Sequence, residues 1–217
     1  MKKVMERALG KREARKQDRR EAILAIAKRT FLEHGYSGTS MSAISSELGG
    51  SKGTLWSYFP SKEELFGAVL DEATVAYRQQ LADLLVPSDD LRATIVKFCL
   101  DFVAKITSPE ALRLHRLVAA EANRFPQLGQ IFYRRAPQPT LELLAKLIDG
   151  EMATGRLRRD DPRRAARVLA SLCTGATQQR MLWGQELSAE ERDEEAIAAA
   201  DIFLRAYAAE DRSAARE

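Results

Sequence analysis

The side chains of this chain best placed to do chemistry are hydrogen-bond donors, and the chemistry they suit is recognition of a polyanion. Between positions 51 and 58 the run Ser51-Lys52-Gly53-Thr54-Leu55-Trp56-Ser57-Tyr58 brings six residues able to donate to phosphates or base edges into one short helix. Leu55 and Phe59 lie four apart, so they share a face and anchor that helix to a core. A helix with a buried apolar seam and a basic, hydroxyl-rich outer face suits insertion into a DNA major groove, and Gly53 allows close approach there. Catalysis finds no comparable set. There is no glycine-rich phosphate loop and no nucleophile elbow, and two His and two Cys show no metal-ligand spacing. The carboxylates that stand out are explained by helix starts. The expectation is a protein that is not an enzyme and needs no cofactor or metal.

The elements around this helix explain how it is held. Thr39 to Glu47 reads as a first short helix and Gly49-Gly50 as a tight turn, which together with the donor-bearing helix make a helix-turn-helix. Pro60 stops the second helix, and Ser61 with Glu64 forms a capping box that opens a helix running to about residue 86. Upstream, Asp18 and Glu21 read as another capping box, and Ile23, Leu24, Ala27, Phe31 and Leu32 follow at helical spacing until Gly35. His34 lies in the last turn, where a partial positive charge is favourable. Beyond Pro87-Ser88-Asp89-Asp90 the pattern stays helical: Leu91–Ile106, Glu110–Asn123 behind Ser108-Pro109, and Pro126–Arg135. Pro137 and Pro139 should break the chain before a helix over Thr140–Thr154. Asp161-Pro162 opens a long helix to about Trp183, and Ser188 with Glu191 caps a last one to about Ala209, leaving a polar end that frays. The fold class is all-α, with no strand-period segment, repeat or low-complexity tract.

Composition agrees with a globular protein: 217 residues, 45% hydrophobic and 30% charged. No apolar run approaches the roughly 18 residues a membrane span needs. The basic start Met1-Lys2-Lys3 has no apolar core or cleavage site behind it, so the expected location is the cytoplasm. Cys99 and Cys173 sit in apolar helical patterns, which suits buried free thiols and leaves a redox switch open. The net charge of +3 hides an asymmetry, because residues 1–62 alone carry +7 and the remainder −4. Cation concentrated at one end points to a polyanion partner there. Residues 1–17 hold seven Lys or Arg against Glu6 and Glu13 and read as a basic flexible arm, either a solvated tail or a further DNA contact. The last two long helices carry small and apolar residues on one face: Ala166, Leu169, Cys173 and Ala176, then Ile197, Ala200, Phe203 and Leu204. Two such helices per subunit suit an intersubunit four-helix bundle, with packing inside one chain as the alternative.

The run Phe31-Leu32-Glu33-His34-Gly35-Tyr36-Ser37-Gly38-Thr39-Ser40, then Ile44, Ser51-Lys52-Gly53-Thr54-Leu55 and Tyr58-Phe59-Pro60-Ser61-Lys62-Glu63-Glu64-Leu65, resembles the DNA-binding domain of the tetracycline-repressor-like (TetR/AcrR) family. Two positions depart: Gly50 stands where a small branched apolar residue is common, and Trp56 where tyrosine is usual. The resemblance implies a helix-turn-helix domain over 18–66, with Lys52, Thr54 and Trp56 toward bases or adjacent backbone. Tyr58 and Lys62 would hold phosphate, Thr39 and Ser40 the flanking phosphate, and Ser51 and Ser57 would complete the surface. Leu117 to Gly129, Gly155-Arg156-Leu157 and Asp161-Pro162 resemble the AefR-like C-terminal domain. That implies a ligand-binding and dimerisation domain over 67–210, joined through a long helix, in which Phe98, Phe102, His115, Phe132, Gln178 and Trp183 could line a pocket. The implied partners are a double-stranded, palindromic DNA operator, a small-molecule effector and a second copy of the chain, and the implied activity is a ligand-responsive repressor. An activator or protein-responsive regulator of the same fold, and a helical interaction module without DNA binding, are the alternatives.

Overall fold

The computed structural model describes residues 2–49 and 52–209, with the backbone alone at 2–12, 52 and 176. The expected Gly50 turn position, the Ser51 donor and the fraying end at 210–217 lie outside the described residues, as do the side chains of Lys52 and Ala176. Eleven α-helices follow in order: α1 Lys2–Gly38, α2 Met41–Glu47, α3 Lys52–Tyr58, α4 Lys62–Leu84, α5 Leu91–Ile106, α6 Pro109–Glu121, α7 Pro126–Arg135, α8 Pro137–Ala153, α9 Pro162–Cys173, α10 Gln179–Leu182 and α11 Ala189–Tyr207. A π-helical turn, Thr174–Gln178, joins α9 to α10. Among the described residues the only β pairing is a single bridge between Leu157 and Ala208.

The first helix includes most of the segment read as a basic arm. It begins at Lys2 and passes straight through Asp18, so Asp18 and Glu21 form no cap. Upstream of Asp18 the chain is mostly Lys, Arg, Glu, Gln and Ala, all good helix formers, with Gly10 as the one weak point. Gln17 donates to Glu21 four residues on (2.8 Å). The proline expectation also shifts. Pro137 and Pro139 both fall in the first turn of α8, where the missing N–H has no intrahelical acceptor to lose. The helix therefore starts at Pro137 and the break is confined to Ala136. Other caps follow the residue types: Ser40 accepts from Ala43 N–H, Asp90 from Ala93, Asp161 from Arg163, and Ser188 with Glu191 forms a reciprocal box. Gly155, at φ +79°, closes α8, and the Arg156 N–H returns to the Glu151 carbonyl.

The chain forms two compact units. One is residues 1–74 with 117–135, the other 75–116 with 136–217. This differs from a division at 66/67, because α4 and α6 each run from one unit into the other and α7 belongs with the helix-turn-helix. The reason is a set of contacts inside the first unit. The Glu121 carboxylate accepts the Ser37 N–H on both oxygens (3.1 and 2.9 Å), and the Phe125 ring meets Tyr36 edge-on at 5.4 Å. Arg135 pairs with Asp71 at 2.6 Å. Phe31, Tyr36 and Phe66 complete an aromatic centre with ring separations of 5.2–5.8 Å. The second unit packs α5, α8, α9 and α11 around Phe98, Leu144, Ile148, Leu169 and Phe203. The buried carboxylate of Glu151 is held by Arg156, which also donates to the Ser88 carbonyl.

Candidate nucleic-acid interface

The donor-bearing helix is anchored as its spacing requires. Leu55 is fully buried and Phe59 nearly so, while Gly53, Trp56 and Ser57 are exposed and Thr54 and Tyr58 half-buried. Trp56 leaves 38% of its surface open and flanks the Leu55–Phe59 seam, while Gly53 and Ser57 lie on the face opposite it. The Ser57 hydroxyl donates back to the Thr54 carbonyl at 2.7 Å. α3 thus offers an outward ridge of Gly53, Thr54, Trp56, Ser57 and Tyr58 on a fixed base. α2 is held beside it by Ile44, fully buried, and by an Arg29–Glu47 ion pair back to α1.

Two residues read as phosphate contacts have other work. The Thr39 hydroxyl is buried and donates to the carbonyls of Gly35 (2.7 Å) and Thr30 (3.2 Å). The Lys62 ammonium donates to the carbonyls of Tyr36 (2.6 Å) and Thr39 (2.8 Å) and lies 4.2 Å from the centre of the Tyr36 ring. Both side chains donate to carbonyls around the point where Gly35 (φ +73°, ψ 174°) breaks the helical path of α1. Burial pulls the Lys62 pKa below the ordinary lysine value, opposed by the nearby Glu63 and Glu121 carboxylates. Burial and a hydrogen bond to Glu63 (2.9 Å) push the Tyr36 phenol up. Glu63 is pulled down in turn, chiefly by a backbone hydrogen bond at the start of α4. Ser40 keeps an exposed position, its oxygen accepting from the Ala43 N–H to cap α2.

The structure also places contacts that spacing did not reveal. The Arg19 guanidinium reaches the Leu48 carbonyl (3.4 Å) at the end of α2, and Arg20 lies 5.5 Å over the Phe59 ring. Glu121 occupies the space a Gly35 Cβ would fill: its Oε1 lies 2.6 Å from that point. Nothing in the spacing of Arg19, Arg20 or Glu121 marks these roles.

In the second unit Phe98 and Phe102 are buried and stacked at 5.5 Å, and the Gln178 carboxamide donates to the Ile106 carbonyl at 3.1 Å. His115 is half-buried, and desolvation lowers its pKa. The six residues read as pocket lining are divided between the two units. Phe132 belongs to the first unit, and Trp183 is 74% exposed, beyond the end of α10. The Tyr77 hydroxyl, by contrast, is buried with no hydrogen-bond partner, and burial pushes its pKa up. The Cys99 thiol bonds to Cys173, and that contact with burial raises its pKa, leaving little thiolate. The residues read as a dimer face divide as well. Ala166, Leu169, Cys173, Ala200 and Phe203 are buried inside the single chain, while Ile197 (39% exposed) and Leu204 stay at the surface. α9 and α11 are amphipathic, and their small-residue faces serve this chain's own core.

The family model described as bacterial regulatory proteins, tetR family, matches residues 23–69, and the model of the AefR-like transcriptional repressor C-terminal domain matches residues 93–209. The chain belongs to the tetR family of bacterial regulatory proteins. It is a DNA-binding transcriptional regulator, and its family members are regulators, not enzymes. Among curated relatives, the HTH-type transcriptional regulator YhgD of Bacillus subtilis is 23% identical over 71% of this chain and 80% of its own length. RutR of Escherichia coli is 32% identical over 57% of this chain, which spans only half of RutR. LmrA of Bacillus subtilis is 34% identical over 43% of this chain and half of its own length. Two solved structures cover nearly the whole fold. A TetR-family regulator from Mesorhizobium loti superposes with a TM-score of 0.77 at 26% identity, covering 88% of this chain and 98% of that one. The flavonoid-responsive regulator FrrA gives 0.75 at 30% identity, covering 89% and 99%. Among the described residues no helix is long and apolar enough to cross a membrane, and no group of three His, Cys, Asp or Glu is placed to hold a metal ion.

Proposed function

We propose that this tetR-family protein is a homodimeric repressor that releases a palindromic operator when a small molecule binds its second unit. The observation that carries the reading is the exposed ridge of α3 over its buried Leu55–Phe59 seam. On it Thr54 and Trp56 read bases or the adjacent backbone, Gly53 lets the helix approach, and Tyr58 and Ser40 hold phosphates, joined by Ser57 once its hydroxyl turns away from the Thr54 carbonyl. Lys52 and Ser51 complete this set by their place in the motif. The paired surface consists of the outward residues of α9 and α11: Val168 (38% exposed), Ile197 (39%) and Ile202 (46%), with half-buried Leu172 and Leu204. A shallow groove of about 350 Å³ runs along Arg164, Arg167, Val168, Ser171 and Leu172 of this face. Isologous pairing of such faces gives the twofold that a palindromic site demands. The effector occupies the core beside Tyr77, whose partnerless hydroxyl would donate to it, close to the Phe98–Phe102 stack and the π-helical turn. FrrA is named for its response to flavonoids, which supports a small, largely apolar effector.

The test combines assembly with binding. Val168→Glu and Ile197→Glu should give folded monomers by sedimentation that lose the operator, whereas Leu169→Glu should unfold the chain because Leu169 is fully buried. Dimers that survive both surface substitutions would refute this interface.

A further inference from the structure

We infer that residues 2–17 form a second DNA contact, a cationic helix that tracks the phosphate backbone outside the half-site read by α3. The structure makes this segment the first part of α1, continuous with the helix of the head and not a loose arm. Glu13 to Asp18 are all exposed, and six successive exposed residues cover more than a full turn, so over 13–18 no face of the helix packs against the described chain. At its inner end, Arg19 bonds the Leu48 carbonyl where α2 ends, and Arg20 lies over Phe59 just after α3. The extension therefore leaves the head beside the helix-turn-helix itself.

Helical register sorts its charges. Positions 3, 7, 11, 15 and 19, all Lys or Arg, follow at strict four-residue spacing and make one strip. Positions 12, 16 and 20, also Arg or Lys, make a second strip beside it. At about 100° per residue acidic position 13 falls opposite positions 11 and 15, while acidic positions 6 and 18 lie beside positions 3 and 15 at three-residue spacing and leave the strip a clear cationic excess. Like charges four apart destabilise a free helix, so a stripe of this kind gains most when a polyanion neutralises it. From position 19 back to position 2 the helix spans about 25 Å, roughly the length of seven base pairs at 3.4 Å each. The apolar positions 4, 5, 9 and 14 are scattered among the cations and form no face of their own, which disfavours a lipid surface. The occupant is duplex DNA, bound through phosphates and without base readout.

This rests on the proposed DNA binding, and the experiment separates the two. A duplex selected from a random pool by the wild-type protein is titrated over a range of salt concentrations with three proteins: wild type, the fourfold Lys3→Gln, Arg7→Gln, Lys11→Gln, Arg15→Gln variant, and Ala14→Pro. The fourfold variant should melt like wild type and lower the slope of log K against log salt by about 2–4 units, near 0.9 for each phosphate released. Ala14→Pro keeps every charge but breaks the helix, and should also lower the slope. Failure of the wild-type protein to bind any duplex would sink the earlier reading. Wild-type binding with an unchanged slope in the fourfold variant overturns this proposal alone. A wild-type slope in Ala14→Pro overturns the helical presentation. If the fourfold variant keeps its DNA slope but loses sedimentation with phosphatidylserine vesicles, the partner is a membrane and the proposal is wrong.

Discussion

Replacing Lys62 by Met keeps the aliphatic stem and deletes the ammonium, which separates two possible roles of this residue. In the structure that ammonium satisfies the Tyr36 and Thr39 carbonyls at 2.6 and 2.8 Å and sits over the Tyr36 ring. Hydrogen bonds to charged groups contribute about 1.5–3 kcal/mol each, and solvent at this half-buried site screens part of that. A loss of roughly 2 kcal/mol is expected, which lowers Tm by about 4–8 °C for a chain of this length. Binding to DNA should then weaken only as far as the head is destabilised, with the salt slope unchanged. A phosphate ligand would behave oppositely: Tm would hold and the slope would fall by about 0.9. Calorimetry and a salt titration on the same preparation decide between them. An unshifted Tm with a slope lowered by that amount would refute the inward role assigned to Lys62.

Gly35→Ala forces a side chain into φ +73° and places its Cβ 2.6 Å from Glu121 Oε1, which must withdraw from Ser37. The cost should be about 2–3 kcal/mol in denaturant unfolding, and a loss below about 0.5 kcal/mol would contradict the tight turn. Tyr77→Phe removes a buried hydroxyl that has no partner, so stability should hold or rise by up to about 1 kcal/mol, while effector response falls; clear destabilisation in thermal melts would mean the hydroxyl is satisfied. His115 has its folded-state pKa depressed by burial, so the unfolded chain binds its proton first. Its effect on stability is therefore constant above the ordinary value near 6.5, and stability is lost as pH falls from there through the folded pKa. His115→Asn should flatten that acid limb in melts across pH, and parallel curves for the two proteins would count against it.

Much of the head was legible because its signals are local. The Gly49 turn, the Leu55–Phe59 seam and the Ser61 cap each lie within a few residues of what they determine, and the structure contains each of them. The inward hydrogen bonds of Thr39 and Lys62 are not legible in the sequence, because spacing reports which residues are neighbours and not which carbonyls they reach. Those carbonyls, of Thr30, Gly35, Tyr36 and Thr39, surround the bend that Gly35 puts at the end of α1. The extension of α1 was hidden by Asp18 and Glu21, which match a capping box but sit in the middle of a run of helix formers. α9 shows a different limit. Leu169 and Val168 are adjacent and both apolar, and only packing against α8 and α11 decides that the first is core and the second surface. Glu121 could not be found at all from sequence, since its partner Ser37 lies 84 residues away.

The central claim is that the outward ridge of α3 reads duplex DNA. The most direct measurement is selection of binding sites from a random duplex pool, followed by titration of the winning site with wild type, Trp56→Ala and Thr54→Ala. Enrichment of a palindrome is expected, with each variant losing specificity at particular base pairs by about 1–3 kcal/mol while its melting stays near wild type. A pool that remains random, or variants that bind the selected site as tightly as wild type, would contradict it.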